Sequence, residues 1–71
     1  MRNNLTEFRH KLGLTQEEFA GLFNTDRQYQ NNVEKGRRKG SADYWLGIMG
    51  KFNLTYSEII KLKEVSANEQ S

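Results

Sequence analysis

The stretch LTQEEFAGLFNTDRQYQNNVEKG, residues 14–36, decides the fold. Thr15 with Glu18 three residues on is a capping-box pattern, which opens a helix by pairing side chains with its free N–H groups. The spacing predicts a helix over about 16–23, with Phe19, Ala20, Leu22 and Phe23 inward and Glu17 and Glu18 outward. NTD, residues 24–26, then reads as a turn. Asn24 tolerates the left-handed conformation, and Asp26 suits the N-cap of the next helix. That helix, the third of the chain, closes at Gly36. Its composition is unusual, because Gln28, Gln30, Asn31 and Asn32 crowd into it. Amide side chains are mediocre helix formers and poor core fillers, yet they both donate and accept hydrogen bonds.

Outward from this junction the chain yields three more helices. Asn4 with Glu7 predicts a capping box for the first, Gly13 its end, and Leu5, Phe8 and Leu12 its apolar face. Ser41 caps the fourth, whose apolar face is Trp45, Ile48, Met49 and Phe52. Thr55 with Glu58 opens the fifth, with Tyr56, Ile59, Ile60 and Leu62 apolar. Nothing alternates as a strand would, and there is no proline. The expectation is an all-α, compact five-helix domain over 1–65, with its central two-helix motif at about 16–35. The remainder, SANEQS at 66–71, reads as a frayed polar tail.

The totals bound the function. A chain of 71 residues is one domain, burying roughly 60% of its unfolded surface, so each large apolar residue matters. There is no cysteine, hence no disulfide and no thiolate metal site. MRNNLTEFRH has no apolar leader core, and no run has the length of a membrane span. These features predict a soluble, cytoplasmic protein with no membrane partner. The net charge of +2 is too small to name a partner, but four cations fall within residues 35–39: Lys35, Arg37, Arg38 and Lys39. The lone His10 lies opposite the apolar face of helix one and reads as an exposed bystander. One histidine without cysteine does not make an ordinary zinc site. No nucleophile–base pair or glycine-rich phosphate loop is present, so neither an enzyme, a cofactor nor a small-molecule substrate is expected.

LTEFRHKLGLTQEEFAGLF, NTD and RQYQNNVEKG together resemble the phage Cro/CI-type, lambda-repressor-like helix-turn-helix family. The likeness runs from about Leu5 to Leu62. VEKG resembles the family's I-E-x-G close of its recognition helix, and KFNLTYSEII its L-G-V-S-x-x-x-L-L segment. The resemblance implies a lambda-repressor-like fold and an ion pair between Arg9 and Glu34. It also implies a small transcriptional regulator of a phage lysis–lysogeny switch that binds double-stranded operator DNA through helix three. By family position Arg27, Gln28 and Asn32 would contact bases. One departure is serious: the family's inward isoleucine is Gln30 here. An unpaired buried amide costs about 1–3 kcal/mol. Either Gln30 faces the core, or Tyr29 with Val33 supplies the inward stripe and the helix rotates slightly.

The residues themselves point the same way. On a helical wheel at about 100° per residue Val33 is inward. The opposite face collects Gln28, Asn31, Asn32 and Lys35, with Arg27 at its edge and no acid among them. Amides match the N6/N7 edge of adenine, and Arg or Lys the O6/N7 edge of guanine. Gln16, at the positive end of helix two, would sit against a phosphate. Lys35, Arg37, Arg38 and Lys39 would neutralise others. A rival function comes from helix four. Gly47 and Gly50 share a face with Asp43 and Leu54, nearly opposite Trp45, Ile48 and Phe52. That bare face would suit a homodimer or a partner repressor, as in an antirepressor that modulates repression by protein binding.

Overall fold

A computed structural model describes residues 2–65 of the chain. Five helices follow in order: α1 (Asn4–Lys11), α2 (Gln16–Gly21), α3 (Arg27–Glu34), α4 (Ala42–Phe52) and α5 (Tyr56–Lys63). The tail expected over 66–71 lies outside the described residues. Each helix opens on a side chain that accepts a hydrogen bond from one of its free N–H groups. The caps are Asn3, Thr15, Asp26, Ser41 and Thr55. The boxes Thr15–Glu18 and Thr55–Glu58 both form. The first helix corrects the sequence reading, since its cap is Asn3 and not Asn4. Asn4 is drawn away because its side-chain N–H donates to the Lys61 carbonyl at 2.9 Å.

These two asparagines staple the chain's start to two helix ends. Asn3 donates from its backbone to Glu34 O and from its side chain to Val33 O, each at 2.8 Å. Asn4 N donates to Glu64 O, also at 2.8 Å, and an isolated antiparallel bridge pairs Asn3 with Val65. Carbonyls at the C-terminal ends of α3 and α5 thus gain bonds from the asparagines, which Val33 O and Lys61 O accept in addition to their local bonds from Gly36 N and Glu64 N.

The core is Leu5, Phe19, Val33, Tyr44, Trp45, Ile48 and Ile59. Phe8, Phe23, Met49, Phe52 and Leu62 pack against it. Rings meet mostly edge to face, as at Phe8–Phe52 (5.2 Å) and Phe23–Tyr44 (5.8 Å), the geometry that aromatic quadrupoles favour. Tyr44 was not expected in the core. Four residues expected inward are instead substantially exposed: Leu12, Leu22, Tyr56 and Ile60. Leu12 and Leu22 are the C-caps of α1 and α2, immediately after the last residue of each helix. Tyr56 and Ile60, one turn apart on α5, lie about 60° and 100° round the helix from the buried Ile59, at the edge of its inward face. The radius of gyration, 11.1 Å, equals the value of about 11 Å for a compact chain of this length. The molecule is thus a compact all-α five-helix domain, in which α2 packs on α3 and α1 on both α3 and α5. Among the described residues no helix is long and apolar enough to cross a membrane.

Candidate nucleic-acid interface

The junction between α2 and α3 spans residues 22–26. Asn24 takes φ +57° there, as its residue type allows. Thr25 N bonds back to Ala20 O at 3.1 Å, and Asp26 caps α3 through Tyr29 N at 2.8 Å. The two helices are therefore held by short, local bonds, and the ring of Phe23 sits 5.1 Å from Phe19 beneath the turn.

α3 presents two unlike faces. The inner face is Gln30, Val33 and Glu34, all essentially inaccessible to solvent. The alternative in which Tyr29 replaces Gln30 in the core is not what forms. Gln30 is buried, and its amide is paired at both ends. Its Nε2 donates to Glu34 Oε2 at 2.7 Å, and its Oε1 accepts from the Tyr44 hydroxyl. The penalty for an unpaired amide is therefore absent. Tyr29 is half-buried beside it, and its hydroxyl accepts from Ser41 N at 2.8 Å.

Glu34 is the hub of this inner face. Its Oε2 also accepts from Arg9 Nε at 2.7 Å, and its Oε1 from Arg9 Nη2 (3.1 Å), Thr6 Oγ1 (3.1 Å) and Gln16 Nε2 (3.2 Å). The Arg9–Glu34 pair expected from the resemblance forms, with side-chain exposures of 7% and 1%. Burial alone would raise the Glu34 pKa. The bonds from Arg9, Gln30 and Gln16, with the Arg9 charge, outweigh it and hold the carboxyl below its ordinary value. Burial pushes the Tyr44 hydroxyl well above its ordinary range, so it stays a donor. Arg9 Nη1 donates to Leu14 O (2.8 Å), and Nη2, already bonded to Glu34, also lies 3.2 Å from His10 Nε2. His10 is exposed, as expected, but it touches the network. Among the described residues no buried side-chain nitrogen or oxygen lacks a partner.

The outer face is Arg27, Gln28 and Lys35, all exposed, with Asn31 and Asn32 half-buried between them. Gln16 is brought to this face too, but its amide bonds to Asn31 Oδ1 and Glu34 (both 3.2 Å) rather than standing free. Arg37, Arg38 and Lys39 are exposed on a loop whose backbone is well held. Arg37 N and Arg38 N donate to Asn32 O at 2.9 and 3.2 Å, and Lys39 O accepts from Trp45 Nε1 at 2.8 Å. The Arg38 guanidinium lies 5.4 Å over the Tyr29 ring, a cation–π distance. The loop's charges are thus displayed from a fixed frame beside α3.

The bare face expected on α4 does not form as a unit. A Cβ on Gly47 would meet Phe23 Cδ1 at 3.1 Å, so this glycine makes room for the domain's own ring. Leu54 is not on the helix at all. Asn53 turns left-handed (φ +54°) and ends α4, and Leu54 folds back against the core. Asp43 and Gly50 remain exposed, and Gly50 faces open space.

The sequence reading missed Thr6, Tyr44 and the anchoring role of Tyr29. The i, i+4 spacing of Gln30 and Glu34 was the available signal for part of this network; Tyr44 carried none, because its partner lies on another helix. Compared with known protein families and with curated proteins, the chain matches no family model and no curated relative.

Proposed function

We propose that this protein is a small helix-turn-helix transcriptional regulator with a lambda-repressor-like fold, of the kind that serves phage-type genetic switches, and that it binds operator DNA through the outer face of α3. The observation that supports this most is the division of α3. Its one acid, Glu34, is buried and neutralised inside. Arg27, Gln28, Asn31, Asn32 and Lys35 lie outside with no acid among them. A helix of this kind suits the major groove, where amides and guanidinium groups read base edges. The held loop at 35–39 adds sequence-independent attraction for phosphates.

A second reading, a modulator that docks on a repressor, is favoured by one observation. Leu46, 59% exposed, and Gly50, which faces open space, lie one turn apart on α4. Titration of a randomised duplex pool at several salt concentrations separates the two. The DNA reading expects binding that weakens with salt. Arg37→Ala and Arg38→Ala each reduce the magnitude of the slope of log K against log salt by about 0.9 where the side chain contacts one phosphate. No duplex binding, together with capture of a purified repressor that Leu46→Asp abolishes, would favour the modulator.

A further inference from the structure

A cleft opens where the chain's start, the first turn of α2 and the last turn of α3 converge. Arg2, Gln16, Asn31, Lys35 and Arg37 line it, together with the buried Arg9–Glu34 pair. Free amides present either end to a ligand, since oxygen accepts and nitrogen donates. Here Glu34 removes the choice. An ionised carboxylate only accepts, so Gln16 must turn its nitrogen toward it, at 3.2 Å. The same nitrogen reaches Asn31 at 3.2 Å, and Asn31 must answer with its oxygen. Asn31 Oδ1 is thereby engaged, and Nδ2 is the end of that side chain left for a ligand. The polarity runs outward from one buried charge through two amides.

We infer that this cleft clamps a phosphodiester of the DNA backbone with Asn31 Nδ2, Lys35 and Arg37 as donors, its polarity set by Glu34 through Gln16. The inference rests on the DNA reading above. A phosphodiester offers only acceptors and a negative charge, which two cations and the donor end of an amide complement. An adenine edge needs a donor and an acceptor together, and the Asn31 oxygen is already held by Gln16, which leaves Nδ2 as the end better placed for a ligand. Arg9 already balances Glu34, and Lys35 and Arg37 leave the cleft positive. Asn31 thereby joins the residues that contact the DNA backbone. Gln16 becomes a positioning residue that aims Asn31 and does not itself hold the phosphate.

The test uses the full chain and its selected duplex, neutralised one phosphate at a time by methylphosphonate. The wild type should show a sensitive phosphate that becomes silent in both Asn31→Ala and Gln16→Met, while other sensitive phosphates persist. Asn31→Asp, which turns an acceptor outward, should weaken binding to all sequences alike by roughly 10- to 100-fold, as expected for losing a hydrogen bond to a charged group. A changed preference at one base position in Asn31→Ala would show base reading and overturn the clamp. So would a phosphate that stays fully sensitive in Gln16→Met. Side-chain amide exchange in the free wild-type protein tests the polarity without relying on any variant's folding. Gln16 and Gln30 protons should be protected and those of Asn31 should exchange freely; the reverse pattern overturns the assignment. Failure to bind any duplex overturns the DNA reading and the clamp together, whereas duplex binding with the reverse amide pattern overturns the clamp alone.

Discussion

Gln28 and Gln30 are the same residue two positions apart, yet they belong to different parts of the molecule. Gln28 is exposed on the outer face of α3. Gln30 is wholly buried on the inner face, bonded to Glu34 and Tyr44. The contrast extends along the helix. Inside, directional hydrogen bonds converge on one carboxylate, while the aromatic rings of Phe8, Phe19, Phe23 and Phe52 fill the space nearby by contact alone. Outside, Arg27, Gln28 and Lys35 are exposed, and Asn31 alone is tied to that carboxylate, through Gln16. A polar inner face fixes the rotation of α3 more sharply than greasy packing would, because a small turn of the helix breaks bonds that an apolar contact would merely slide past. The lesson is that the same amide chemistry serves to set a helix on one side and to offer hydrogen bonds on the other.

That division can be broken first at its hub. Glu34→Ala leaves the Arg9 guanidinium buried and unpaired, and should cost about 3–5 kcal/mol in chemical unfolding. In a domain of this size such a loss removes much of the stability, expected at roughly 0.05–0.15 kcal/mol per residue. A melting temperature within a degree of wild type would show that the inner face does not fix α3. Acid probes the same group. The folded Glu34 pKa lies below its ordinary, unfolded value. Its contribution is therefore present above that pH and is lost as pH falls through the folded value. The stability difference between wild type and Glu34→Gln should accordingly shrink on acidification; a constant difference would contradict it.

A matched pair of substitutions sharpens the comparison at smaller scale. Gln30→Ala strands the Tyr44 hydroxyl and removes a donor from Glu34, and should cost about 1–3 kcal/mol. Gln28→Ala, the same change on the other face, should stay within about 0.5 kcal/mol. Equal costs in urea denaturation would erase the distinction between the faces.

The smallest effect concerns the two glycines of α4. Gly50→Ala should stabilise by up to about 1 kcal/mol, since alanine is the better helix former and the space is open. Gly47→Ala should gain less, because the Phe23 ring must move aside. A larger gain at Gly47 would show that this ring yields freely.

Much of the fold was legible because the signals are local. Thr15 with Glu18, Thr55 with Glu58, Asp26 and Ser41 all act within one turn of chain, and each formed as read. What failed was decided at a distance. Asn3 displaced Asn4 as the cap because Asn4 finds Lys61, 57 residues away. Gly47 was read as bare because its neighbour, Phe23, sits on another element. Leu54 was placed on a helical stripe that Asn53 had already ended. For the candidate site, periodicity alone placed Arg27, Gln28 and Lys35 on the exposed face of α3. It could not reveal that Gln16 and Asn31 are already bonded to each other, because that bond crosses between two helices.

The central claim is that the outer face of α3 reads bases while the inner face only holds the helix. Site selection from random duplexes tests it most directly, run on wild type and on the Gln28→Ala/Asn32→Ala variant, with melting temperatures measured on the same samples. The account predicts a defined motif for wild type. For the variant it predicts an unchanged fold with a loss of about 1–3 kcal/mol of discrimination at each position that had been read. The same motif recovered at full strength from the variant, or no motif from the wild type, would contradict it.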